Sequence, residues 1–529
     1  MKCTTRRTFI RHAAGGALGM AATARCAFGE DSPVTDSPKR PNLLFVFGDQ
    51  LRYDACGYAG NALAHTPHID ALAHAGVSFR NAVSSTPVCA AFRASLMTGK
   101  YTTSTGMVIN ELRLSPDHEC FGHVLSGAGY RTGYIGKWHL WANQLGHHDD
   151  PQNGFVPPGP YRLGFDGYWA AHNFNHQYYG GYYFEDTPER IAIDGYEPDA
   201  QTGLAIRFLE REAHSDAPFA LFVSFGTPHD PWGEDNVPKE WMDRFRDVPF
   251  PNPPNYRPEN DPRSDNWGML SPEQRPLLEQ WRRVYHAQAA SMDWNIGRLL
   301  DALDKTGQAE NTVVVFTSDH GEMFGAQGRR AKNVFYEEAC RIPFVVRYPR
   351  SVPRGSSSDA CLTTPDMMPT VLGLMGLPVP KAAEGMDLSH CAQGKPGPEP
   401  EAALLQNTGA CAAWTEEHEW RAVRDKRYTF TVYRVDGCEL LFDNIADPYQ
   451  TANLARMPEH AETADRLRAY LKTRMAELND TFEKSTYYRD RWTRDRVILK
   501  GAKGGSHDLE RMNDILRKYW GEQARTTPI

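Results

Sequence analysis

Apolar residues concentrate in five short unbroken runs. Residues 42–47, 131–135, 219–225, 311–317 and 342–347 each predict a strand buried on both faces, as in a parallel sheet. Longer stretches with helical spacing lie between them. One is 67–75, with Thr66 as N-cap, Pro67 in the first turn and Gly76 at the C-cap. Another spans 273–303. The alternation predicts an α/β domain with a large, mostly parallel sheet flanked by helices. Pro- and Gly-rich segments at 146–160 and 249–262 predict long surface loops. Segment 392–400, AQGKPGPEP, predicts a linker. Beyond it, 419–443 alternates as strands do, and 461–478 has one apolar helical face. The expected organisation is therefore a lead-in at 1–29, a main domain at 40–391, and a smaller α+β subdomain at 401–529, a small antiparallel sheet plus helix.

Polar residues collect where the strands end. Asp49 and Gln50 follow the first run, and Lys137 and His139 the second. His229 follows the third, and Asp319 and His320 the fourth. Sites in open parallel sheets form outside the carboxyl ends of strands, so four runs aim chemistry at one edge. Asp49, Gln50 and Asp319 offer hard oxygen ligands suited to Ca²⁺ or Mg²⁺, and His320 adds a nitrogen. Two carboxylates would roughly neutralise a divalent ion and let an anionic substrate approach. Cys89 begins a helical stretch, where free amides favour anions, and Arg93 lies one turn on.

Composition narrows the class. Of 529 residues, 41% are hydrophobic and 23% charged, which is ordinary for a folded chain. The net charge of −8 gives no broad basic face, so nucleic-acid or anionic-membrane binding has no support. The 10 cysteines show no CxxC pair and no zinc spacing.

The first residues change the picture. Thr5-Arg6-Arg7-Thr8-Phe9-Ile10 resembles a twin-arginine export signal, followed by an apolar run at 13–24 and the small-residue site Ala22-Thr23-Ala24. The run is too short and Gly-rich to span a membrane. Export to a periplasmic or extracellular destination through the twin-arginine machinery is expected. Removing 1–24 takes away four basic residues and no acidic one, leaving −12.

Longer motifs carry a resemblance. Cys89-x-Ala91-x-Arg93 with Leu96-Met97-Thr98-Gly99, Gly129 to His139, and Thr227-Pro228-His229 resemble the signatures of formylglycine-dependent sulfatases, in the alkaline-phosphatase superfamily. So do Asp319-His320-Gly321-Glu322, Lys332 and Tyr336-Glu337-Glu338. The resemblance covers about residues 40–480. It implies the alkaline-phosphatase-like fold and a maturase that oxidises Cys89 to Cα-formylglycine (3-oxoalanine). It implies one metal ion, Ca²⁺ or Mg²⁺, held by Asp49, Gln50, Asp319, His320 and the converted Cys89. In such an enzyme a hydroxyl of the hydrated aldehyde attacks sulfur. Arg93 lies near the attacking oxygen; the metal, Lys137 and Lys332 hold sulfate oxygens; His229, alone or with Lys332, protonates the leaving alcohol; and His139 deprotonates the second hydroxyl. Ala91 stands where many relatives have Pro, and Gln50 where many have a second Asp.

The substrate is less legible. His172, Asn173 and His176, among Trp169, Tyr178, Tyr179, Tyr182 and Tyr183, form either a sugar site or a packed aromatic subdomain. Trp232, Trp267 and Trp414 face the same two readings. Export and the resemblance together favour a sulfated carbohydrate. A phosphonate or phosphate ester hydrolase on the same scaffold, and a non-catalytic sulfoglycan-binding protein, are the alternatives.

Overall fold

The computed structural model describes residues 40–142, 147–148, 150–494, 496–505 and 509–521. The export signal and its cleavage site lie outside the described residues. No described helix is long and apolar enough to cross a membrane.

Eight strands build the main sheet. They are β1 (Asn42–Gly48), β2 (Val77–Val83), β3 (Arg131–Lys137), β4 (Tyr168–His172), β5 (Phe219–Ser224), β6 (Thr312–Ser318), β7 (Phe344–Arg347) and β8 (Ser356–Thr363). Their order is β8-β2-β7-β6-β1-β5-β3-β4. Every neighbouring pair is parallel except the two made by β7. The parallel strand expected at 342–347 is thus an antiparallel one. After β6 the chain stays at the carboxyl edge: Asp319 N donates to Gly48 O, and Ser84 N to Cys340 O. It re-enters the sheet from that edge, whereas a parallel partner would need a crossover to the far end.

Alternation along β1 assigns its side chains to two cores. Leu43, Phe45 and Phe47 face one, with helices α1 (Pro67–Ala75) and α4 (Leu278–Lys305) on the opposite side of the sheet. There Phe45 stacks on Phe222 at 4.8 Å, under α2 (Cys89–Thr98) and α5 (Thr364–Leu374). Leu44 and Val46 face the other core with α1, α4 and α3 (Glu197–Glu212). Each fully buried Phe contributes roughly 1.5–3 kcal/mol. Covering on both faces is why these strands read as continuous apolar runs.

A second sheet is an antiparallel meander of β9 (Ala403–Asn407), β10 (Trp420–Arg424), β11 (Tyr428–Tyr433) and β12 (Glu439–Asp443). One face packs on α6 (Ala461–Glu477) through Leu467 and Leu471. The other packs Trp420 and Tyr433 against Phe335 and Tyr336, in the segment between β6 and β7.

Candidate active site

The ends of β6, β1, β5 and β3 lie side by side. Asp49 and Gln50 leave β1, Asp319 and His320 leave β6, and Lys137 closes β3. The backbone bends sharply here. Gln50 has φ 67° and His139 φ 56°, a region costly for residues with a Cβ. Gly136, at φ 97°, is required: an added Cβ would stand 2.1 Å from Ser224 O. That close approach seats Lys137 next to β5.

Cys89 is the first residue of α2, whose ten residues are all buried. Its Sγ lies 3.1 Å from His320 Nε2 and 3.7 Å from Asp49 Oδ1. The donor atoms of Asp49, Cys89, Asp319 and His320 all fall within 4.8 Å of one another. His320 Nδ1 lies 3.0 Å from Gly321 O, which leaves Nε2 facing the cluster. Asp319 Oδ2 is buried and accepts no hydrogen bond among the described residues. Two hard carboxylates, one of them with an unsatisfied oxygen, fit a divalent cation.

Positive groups surround the cluster. Arg93 Nη2 lies 3.3 Å from Asp49 Oδ2 and 3.6 Å from Asp319 Oδ2. Its Nη1 donates to Ser224 Oγ at 2.8 Å and to Lys137 O at 2.6 Å. Lys137 Nζ donates to Asp49 and contacts His176 Nε2 at 2.9 Å. Lys332 Nζ donates to Gln50 Oε1 at 2.9 Å and contacts His229 Nε2 at 2.6 Å. Gln50 in turn donates to Glu322 at 2.6 Å.

These charges decide the protonation states. Burial raises the Asp49 pKa, but Lys137, His229, Arg93 and His320 outweigh it and hold the carboxyl well below its usual range. Burial and the charge of Asp49 push Asp319 up to about 6. Burial and Asp49 raise the Cys89 thiol, yet Lys137, Lys332 and His320 bring it well below an ordinary thiol. The two histidines diverge. Burial and Lys137 hold His139 down to about 3. Burial and Lys332 lower His229, but Asp230 and Asp49 carry it up to about 9. One is neutral and the other charged at neutral pH.

A cavity of about 180 Å³ opens above Cys89, lined also by His139, His176, His229 and Lys332. A larger cleft of about 900 Å³ includes Arg131, at the amino end of β3, and contains none of these residues.

A family model described as Sulfatase matches residues 41–377. The chain belongs to the sulfatase family. A second model, described as N-sulphoglucosamine sulphohydrolase, C-terminal, matches residues 325–479. An ulvan-active sulfatase of Formosa agariphila is 39% identical over 460 residues, 86% of this chain and 84% of that protein. An N-acetylglucosamine-6-O-sulfatase of Bacteroides thetaiotaomicron is 26% identical over 89% of this chain and 92% of that one. The solved structure of a putative sulfatase from Bacteroides fragilis superposes with a TM-score of 0.72 at 29% identity, covering 86% of this chain and 98% of that chain.

In this sulfatase Asp49, Gln50, Cys89, Arg93, Lys137, His139, His229, Asp319, His320 and Lys332 all converge at one strand edge. Of the three residues expected near substrate, only His176 lines the cavity. His172 is buried on β4, and its ring nitrogens have no partner among the described residues. Asn173 is buried and donates to the carbonyls of Ala142 and Asn153 at 3.0 and 2.9 Å. Trp169, Tyr178, Tyr182 and Trp232 are buried too, whereas Trp267 lines the cavity. Sequence reasoning missed Asp230, Asn110 and Glu322 as supports. Asp230 Oδ1 lies 2.9 Å from His229 Nδ1, and adjacency to His229 was its signal. Asn110 accepts the Ala90 amide at 3.0 Å and has no motif around it.

Proposed function

We propose that this sulfatase removes sulfate from a carbohydrate, using formylglycine made from Cys89 and one divalent cation, Ca²⁺ ahead of Mg²⁺. Asp49, Gln50, Asp319 and His320 would hold the cation beside residue 89. The observation that carries the reading is the Cys89 sulfur, set at the head of a buried helix against His320 and Asp49, on the floor of a cavity. Hydrated formylglycine supplies a hydroxyl nucleophile better than a plain serine. The cation supplies positive charge where negative charge grows on the sulfate oxygens.

The chain's own residues do the rest. Arg93 stands next to residue 89 and orients its oxygen. Lys137 and Lys332 approach from two sides and bind sulfate oxygens, in a buried site where such contacts are strong. His229, held between Lys332 and Asp230, donates its proton to the leaving alcohol oxygen. His139, whose ring nitrogens have no hydrogen-bond partner among the described residues, takes the proton from the second hydroxyl on residue 89, so that the C–O bond to sulfate breaks, sulfate leaves and the aldehyde re-forms. The name of an N-acetylglucosamine-6-O-sulfatase supports a sugar sulfate ester as substrate, and that of the N-sulphoglucosamine family model a sulfated sugar. The motif at residues 5–10 supports twin-arginine export after a maturase has acted, and 392–400 remains the proposed boundary of the C-terminal subdomain.

The test is sulfate release from defined sulfated saccharides, with matched phosphate esters, by enzyme made with and without a maturase. Mass spectrometry should find an aldehyde at position 89 only in active enzyme. Cys89→Ala should melt like the wild type and turn nothing over. Asp319→Asn should lose bound metal and activity together. Full activity in unconverted enzyme, or faster cleavage of the phosphate esters, would overturn the proposal.

A further inference from the structure

Two cavity residues have no part in the reaction outlined above. Trp267 and Arg330 line the same cavity as Cys89 and Lys332. Trp267 sits in a turn that Gly268 N closes onto Asp265 O at 3.0 Å. The Asp265 carboxylate, 3% exposed, braces this turn from below. It accepts from Gly268 N at 2.8 Å, Cys411 N at 2.9 Å and Asn333 Nδ2 at 3.1 Å. The indole therefore stands on a fixed support while remaining 40% exposed.

Arg330 shares that wall. Its backbone N donates to Gly268 O at 2.8 Å, directly after Trp267. Its guanidinium lies over the Trp281 ring at 5.6 Å, and its buried Nε has no hydrogen-bond partner among the described residues. The two carboxylates lining the cavity each have another partner, although Asp230 also feels the Arg330 charge. Glu111 pairs with Arg496 at 2.9 Å, and Asp230 with His229 at 2.9 Å. An exposed indole and an arginine on the same cavity wall, its Nε unpartnered among the described residues, match a ligand with an apolar ring face and an anion.

We propose that Trp267 and Arg330 form a subsite that selects acidic saccharides. The indole stacks on a pyranose ring, and the guanidinium pairs with an anionic group other than the scissile sulfate, either a carboxylate or a second sulfate. The inference rests on the carbohydrate sulfatase reading and names the substrate class within it.

Three matched sulfated oligosaccharides test it with the matured enzyme: one with a uronic carboxylate, its carboxyl-reduced twin, and a twin with a second sulfate in that place. Wild-type kcat/KM should favour at least one acidic substrate over the reduced twin by about tenfold, with the difference in KM. The preferred acidic substrate identifies the anion. Arg330→Gln should bring the ratio to about one, and Arg330→Lys should keep part of it. Trp267→Ala should raise KM for all three, and Trp267→Phe by less. Melting curves report folding, and the two conservative variants carry the test if the others unfold. A wild type that does not discriminate, or an R330Q enzyme that keeps the full preference, overturns the subsite alone. Cleavage of an aryl sulfate but of none of the saccharides overturns the carbohydrate reading, and the subsite with it.

Discussion

His229 and His139 line one cavity, yet their surroundings drive them to opposite protonation states. The difference is local. Asp230 touches His229, while His139 has Lys137 for a neighbour and no carboxylate partner among the described residues. Asp230→Asn removes the negative group in contact with His229, so the imidazolium loses stabilisation and its pKa falls from about 9. If His229 is the acid, rate falls as pH rises through that pKa. The descending limb of the kcat/KM profile should therefore move to lower pH by about one unit. An unmoved limb would remove His229 from the acid role. Residues such as Asp49, Lys137 and Asp319 were legible because each stands two positions past the end of an apolar run. Asn110 was not, because its bond to the Ala90 amide joins segments that no local pattern links.

Glu197 shows how an element carries its own pH dependence. It is the first residue of α3 and fully buried. Gln201, one turn on, donates to it at 2.9 Å, and Asn175, next to His176, at 3.4 Å. Burial nonetheless raises its pKa to about 8. The folded value lies above the unfolded one, so this group's contribution is fully present below about 4.3 and is lost as pH rises through 8. The urea midpoint should fall across that window, with a slope of up to about 1.4 kcal/mol per pH unit from this residue. Glu197→Gln should flatten that fall, and an equal slope in both proteins would refute it. The strands differ in legibility for a related reason. β1, β3, β5 and β6 are central, covered on both faces, and read as apolar runs. β4 and β8 lie at the sheet's edges, and β8 opens with Ser356, Ser357, Ser358 and Asp359. With less apolar surface to bury, β8 left no such run, and β4 is only five residues long.

Across the molecule, the C-terminal sheet supports the segment that holds Lys332. Trp420 packs on Phe335, and Asn407 Nδ2 donates to Asn333 O at 3.1 Å. The sheet is locked by Arg421 of β10, whose Nη2 donates to Asp480 Oδ1 at 2.8 Å, both side chains being buried. Arg421→Met would strand the Asp480 carboxylate, costing about 3–5 kcal/mol. A lower melting temperature and a lower kcat/KM should appear together, and Arg421→Met with Asp480→Leu should recover stability. Recovery of neither would place the support elsewhere. By itself the sequence determined which segments are buried and which polar residues terminate them, because periodicity and chain order are local. It also carried the motifs at 89–99, 129–139 and 319–322. Only the tertiary structure decided that β7 runs antiparallel, that His176 rather than His172 or Asn173 meets the cavity, and that Trp267 stands open beside Arg330. Periodicity tells which face a side chain takes. Which distant segment meets that face depends on how the whole chain packs.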